Sequence, residues 1–225
     1  MAIDQKRRQK QLARKAAKRK RILRDRKASQ REMDATSLRG LIHLASNSPI
    51  HECLVPKGIF DLGLGGVVIS RKMPNGEIAA SFFLVDVFCL GVKDCFFTTV
   101  SKSEYDNRMT HLTQNEALER VEPEYAVKLI EGAVAYAKGL GFNPDKEYAL
   151  VKNIFGSIDL GTCLSEFEFG KDGKPFYVSG PNATQADSDR IISVLNERLG
   201  PDGFHYMVGM EVGEDLDEEE DTDSF

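Results

Sequence analysis

Asp86 is the first residue in this chain whose position asks for chemistry. It lies in Glu77 to Leu90 (EIAASFFLVDVFCL), where alternation places its carboxyl on the side of Phe82, Leu84, Phe88 and Leu90. A charge in such a place is costly unless it is paired. One reading is a carboxylate of raised pKa acting as general acid or base, or a metal ligand beside Asp94. The plainer reading is a structural acid satisfied by backbone N–H groups or by Lys93, since no catalytic partner is visible nearby. Glu166 and Glu168 share one face of an expected strand and complete the acids that a metal-dependent hydrolase would draw on. A solvated edge is the simpler account of that pair.

The thiols and imidazoles are weaker signals. Cys89 and Cys95 flank LGVKD and invite a nucleophile assignment, but small thiols in apolar strands are ordinary core residues. His51 and Cys53 form an HxC pair around Glu52 in PIHECLVP, without the PCxxC run that a zinc deaminase needs. His43, His111 and His205 have no ligand spacing, so neither a metal site nor a cofactor is expected. Gly63 to Gly66 precedes a strand and lacks the strand-to-helix context of a dinucleotide loop, which makes it a turn. Val178 to Thr184 does run into a helix start, but Asp187 and Asp189 already occupy that electropositive end.

Charge distribution is the stronger functional signal. The net charge of −5 hides +11 over residues 1–32, from 14 Lys and Arg against three acids, and −9 over residues 211–225. In the first segment Lys6, Arg7, Arg8, Lys10, Arg14, Lys15, Lys18, Arg19, Lys20, Arg21 and Arg24 fall on every side of a helix. No apolar stripe remains to dock it on a core. Its composition favours helix, while repulsion between like charges three and four apart opposes it. A disordered or helical tail that orders when phosphates neutralise it is therefore expected, with nucleic acid as partner and RNA or the ribosome preferred. A solubilising tail is the plainer alternative. The segment is neither amphipathic nor Ser-rich, so it does not read as a transit peptide, and no apolar h-region follows it. KRKR at Lys18 to Arg21 would serve for nuclear import in a eukaryote. The acidic end is too poor in apolar residues to fold and is expected to compete with nucleic acid for the basic segment.

Three parts follow: a basic extension over 1–36, an α+β domain over 37–210 with a mixed or mainly antiparallel sheet and packed helices, and an acidic tail over 211–225. With 41% hydrophobic and 29% charged residues, the chain has enough apolar material for one core and no stretch suited to crossing a bilayer. Four sparse cysteines without CxxC point to reduced thiols and a cytoplasmic setting. A domain of this size buries about two-thirds of its extended surface.

The elements that must carry these residues read as follows. Ser37 to Phe60 is ambiguous, with a short helix through Leu41 and Leu44 before Pro49 and Pro56. Gly66 to Arg71 and Glu77 to Leu90 form a hairpin around Met73-Pro74-Asn75-Gly76, and the second strand, apolar on both faces, belongs at the centre of its sheet. Cys95 to Val100 is a third strand. A helix starts at Pro123 with a stripe through Ala126, Leu129, Ile130, Ala133, Val134 and Ala137, and a second runs from Asn143-Pro144 to Phe155. Cys163 to Phe169 pairs with Phe176 to Ser179 around Lys171 to Lys174. Thr184 and Asp187 make a capping box for a helix with Ile191, Ile192, Leu195 and Leu199 buried, stopped by Gly200-Pro201. Phe204 to Met210 closes the fold as a strand.

The runs FFLVDVFCLGVKDCFF (Phe82 to Phe97), YAVKLIEGAVAYAKGLGF (Tyr125 to Phe142) and FGKDGKPFYVSGPN (Phe169 to Asn182) resemble those of a conserved bacterial family without an assigned activity. That resemblance covers most of the body and implies no catalytic residue. The basic extension is similar in composition to those that thread into ribosomal RNA. A non-enzymatic nucleic-acid-associated protein is the leading expectation, ahead of a metal-dependent hydrolase and of an adaptor regulated by its charged ends.

Overall fold

The computed structural model describes residues 37–209. The expected tails, with all eleven named basic residues, lie outside the described residues. The body is an α+β domain around a five-stranded antiparallel sheet in the order β4-β3-β2-β1-β5. Its strands are β1 (Ile50–Pro56), β2 (Leu64–Lys72), β3 (Ile78–Asp86), β4 (Gly91–Val100) and β5 (Leu118–Val121). A separate parallel pair joins β6 (Phe176–Val178) to β7 (His205–Met207).

The β2–β3 hairpin turns where Pro and Gly predict it. Gly76 adopts φ +86°, its N–H donates to the Met73 carbonyl, and the Met73 N–H donates to Glu77. β3 is correctly strand-bound on both sides, but it stands next to the edge strand β4, and β2 occupies the centre. The expected strand to Leu90 stops at Asp86. Val87 to Leu90 make a tight connection, and β4 begins at Gly91, which has φ +68°. Apolar composition hid this turn, because its specifying features are the Asp86 side chain and the left-handed glycine.

Helix α1 (Leu38–Ser46) begins at the Ser37 N-cap, whose hydroxyl accepts from the Gly40 N–H. It buries Ile42 and Ala45, while Leu44 faces out. A one-turn helix α2 (Ile59–Leu62) connects β1 to β2. Gly63 is its left-handed cap, so Gly65 and Gly66 are strand residues and not a turn. Chain contact explains one of them: a Cβ at Gly65 would lie 2.5 Å from Cγ of Pro56 on β1.

Two helices cover the sheet unequally. Helix α4 (Pro123–Gly139), the predicted helix, lays Ala126, Leu129, Ile130, Ala133 and Val134 on Val67, Ile69, Phe83, Val85 and Cys95, and buries Ala137 against Gly91. Full burial of one such side chain, Ile130, is worth about 1.5–3 kcal/mol. On the other face, helix α3 (Lys102–Asn115) presses Tyr105 and Met109 on Leu54, Val68, Ile78, Ala80 and Val100. Phe82 packs at the margin of this cluster and stacks on its cross-strand partner Phe96 at 4.7 Å, and Phe96 is half exposed. The expected helix from Asn143 is shorter than its pattern: α5 (Tyr148–Val151) runs into a 3-10 turn (Lys152–Phe155).

The largest correction falls after Gly161. Cys163 to Phe169 forms no strand and instead packs Phe167 and Phe169 on Phe60, Tyr125 and Tyr136. β6 pairs with β7 across helix α6 (Gln185–Leu199), and Lys171 and Lys174 make only an isolated bridge. A parallel pair needs a crossover, and α6 supplies it. Its capping box is present as predicted, with Leu195 buried beside Tyr177, Cys89 and Phe204. Leu199, expected inside, is exposed.

Candidate functional site

Asp86 ends β3 and turns its carboxylate into the connection that follows. Oδ1 accepts from the N–H of Phe88 and of Cys89, both at 2.9 Å. The residue is 6% exposed, and burial pushes its pKa up against those two hydrogen bonds and the nearby Lys93. Phe88 packs in the main core beneath α4 and does not share a face with Phe82 and Leu84, as simple alternation suggested. A carboxylate that accepts from two successive backbone N–H groups of a tight connection fixes that connection in place. This is the structural role weighed above.

The other acids stand apart from it. Asp94 is exposed on β4 opposite Leu84, at the register shift between the two strands. Glu166 and Glu168 are exposed in the irregular segment before Gly170. Among the described residues, no three of His, Cys, Asp and Glu converge in a way that would hold a metal ion.

The thiols are packed away. Burial pushes Cys53, Cys89 and Cys95 up to about 12, so each is a neutral thiol at pH 7. Cys95 donates weakly to Oδ1 of Asp145 at 3.7 Å, which raises its pKa further. His51 lies edge-on to Tyr105 with centroids 5.4 Å apart, and burial lowers its pKa. Glu52 pairs with Arg120. The HxC motif thus serves β1 packing. At the start of α6, Oδ2 of Asp187 accepts from the Thr184 hydroxyl at 2.7 Å, which holds its carboxyl below the ordinary range and fills that helix end.

Sequence reasoning missed a groove in the body that no local pattern encodes. A groove of about 1170 Å³ runs between α1, α4 and the segment from Lys146 to Gly156. Its charged walls are Arg39 on α1, Lys146, Lys152 on the 3-10 turn, and one acid, Glu131 on α4. Arg39, Lys146 and Lys152 are exposed, and Lys152 also sits 5.6 Å over the ring of Tyr148. Arg39 is far in sequence from Lys146 and Lys152, so only the packing of α1 on the 3-10 turn brings it to them.

Behind that wall lies Arg71, the buried guanidinium of β2. Nε donates to the Ile154 carbonyl at 2.7 Å, Nη1 to Ser48 at 2.6 Å and Nη2 to Phe155. No carboxylate pairs with it among the described residues, and burial lowers its pKa. Gly156, at φ +63°, lines the groove and packs on this guanidinium, so that a Cβ there would lie 3.0 Å from Nη2. A second, smaller hollow of about 410 Å³ opens beside the stacked Phe82 and Phe96, rimmed by Asp94, Arg108 and Leu112.

Comparison with known proteins adds little to this geometry. No protein-family model matches the chain, and no solved structure does. A homoserine O-acetyltransferase of Nostoc punctiforme is 33% identical over 78 residues, 35% of this chain and 22% of that protein. The chain therefore spans about a fifth of the length of the curated relative it matches.

Proposed function

We propose that this chain is a non-enzymatic nucleic-acid-associated protein, with RNA or the ribosome preferred, whose residues 1–32 bind phosphates. The observation that carries the reading is the charge of that segment, +11 within 32 residues. Lys and Arg side chains that replace condensed counterions on a phosphate backbone gain free energy from ion release. Two features of the body support binding over a carboxylate-centred hydrolase. Asp86 is committed to the backbone of its own turn, while Asp94 is exposed on β4 and Glu166 and Glu168 are exposed in the irregular segment before Gly170. The body would then supply protein contacts and hold the basic segment in place. No helix among the described residues is long and apolar enough to cross a membrane.

Salt titration of binding to RNA tests this directly. If about seven basic side chains reach phosphates, the logarithm of the affinity falls against the logarithm of salt with a slope near −5 to −6. Crosslinking followed by sequencing of the bound nucleic acid locates the contact, and signal must drop when residues 1–32 are removed. A slope near zero for the full chain rejects the proposal.

A further inference from the structure

We infer that the groove between α1 and the 3-10 turn is a second phosphate-binding surface, which receives the backbone of a single-stranded RNA already held by residues 1–32. The inference rests on the function proposed above and extends it from the basic segment into the folded body.

Four observations converge on this surface. The groove is lined by Ser37 and Arg39, which follow the basic segment closely in the chain. Its charged lining is three cations to one acid, the reverse of the body's overall excess of acids. Arg71 adds a fourth positive charge from beneath, held behind Phe155 and Gly156 of the lining and neutralised by no carboxylate among the described residues. Carbonyl oxygens satisfy its hydrogen bonds without cancelling its charge, and low-dielectric surroundings let that charge be felt at the groove. Finally, the volume of about 1170 Å³ exceeds the roughly 300–1,000 Å³ of a small-molecule pocket. An open cationic trough of this size suits a backbone tracked by successive phosphates.

The hydrophobic hollow beside Phe96 lacks this argument. Aromatic side chains suit base stacking, but Asp94 lies on its rim and Arg108 is paired with Glu104 at 2.6 Å. The groove is therefore the surface that the charges favour.

The test uses the full chain and a fluorescently labelled oligouridine of about twenty nucleotides. Arg39→Gln, Lys146→Gln and Lys152→Gln are combined in one variant, because all three side chains are exposed and their loss opens no core. Its salt slope is expected to shrink by about 2 relative to wild type, with affinity about tenfold or more weaker near 0.1 M salt. Ultraviolet crosslinking of the wild-type complex, read by peptide mass, is expected to label residues between Lys146 and Gly156 as well as the basic segment. This second readout needs no variant and stands even if the triple substitution disturbs folding.

Unchanged slope in the triple variant, with crosslinks confined to residues 1–36, overturns the inference and leaves the basic-segment reading intact. A flat slope for the wild type overturns the basic-segment reading and this inference together.

Discussion

Asp86 can be separated into two effects by substitution, because its shape and its charge act in opposite directions. Asp86→Ala strips the acceptor from the N–H groups of Phe88 and Cys89, and we expect a loss of about 1–3 kcal/mol by urea denaturation. Asp86→Asn keeps an oxygen acceptor and removes the buried charge, so its cost at pH 7 is expected to stay within about 1 kcal/mol. The pH dependence has a definite sign. Burial raises the Asp86 pKa above its ordinary 3.8, so the folded chain holds this proton more tightly than the unfolded chain does. The stabilisation is complete below that ordinary value and disappears as pH rises through the folded value. Wild type is therefore expected to lose stability relative to Asp86→Asn from pH 3.8 upward. A pH-independent difference would contradict this. Arg71 gives a harsher outcome: Arg71→Met orphans the carbonyls of Ser48, Ile154 and Phe155 and should cost about 3 kcal/mol or more. Arg71→Lys should recover only part of that, since one ammonium cannot reproduce a planar fork, as the two denaturation midpoints would show.

Among the elements, those with local chemical punctuation were readable and those made by distant partners were not. Met73-Pro74-Asn75-Gly76 and the Thr184/Asp187 box carry their instructions within a few residues, and both formed as read. Helix α4 announced itself through Pro123 and its apolar stripe. By contrast, β1 is bounded by prolines and β5 is only four residues long, and both are placed by distant pairing, β1 between β2 and β5 and β5 on β1 alone. Helix α3 is mostly polar and shows few apolar anchors beyond Tyr105 and Met109. The segment from Cys163 to Phe169 alternates like a strand, yet its aromatic rings find partners on α4 and α2 and not a neighbouring strand. The candidate site divides along the same line. Asp86 was legible as a buried acid, whereas the groove depends on tertiary packing that no window of sequence contains. One glycine on α4 shows how tight that packing is: a Cβ at Gly132 would stand 2.7 Å from the Phe169 ring. Alanine improves helix propensity by about 1 kcal/mol, but displacing a ring packed on Phe60 and Tyr136 costs about 1–3. Gly132→Ala is accordingly expected to lower stability, and adding Phe169→Leu should restore part of it in the same thermal melt.

At the level of the whole molecule, the opposed ends are the feature to exploit. Residues 211–225 carry −9 against the +11 of residues 1–32, and on the function proposed above the acidic end, tethered to the same body, would compete with nucleic acid for the basic one. Deleting 211–225 should tighten RNA binding severalfold at low salt, and the gain should shrink as salt rises. Equal affinities with and without those residues would contradict the competition. The parallel strands beside α6 bear on the same question from another side. β6 and β7 are three residues each and stand outside the main sheet, with Tyr177 of β6 and Phe204 just before β7 in a small apolar cluster with Leu140 and Leu195. So small a unit can part from the rest at lower cost than the five-stranded sheet can unfold. Its amides should therefore trade their hydrogens for solvent deuterium ahead of those in β2. The strand that leads to the acidic end would thus be the first to fray and the last to re-form.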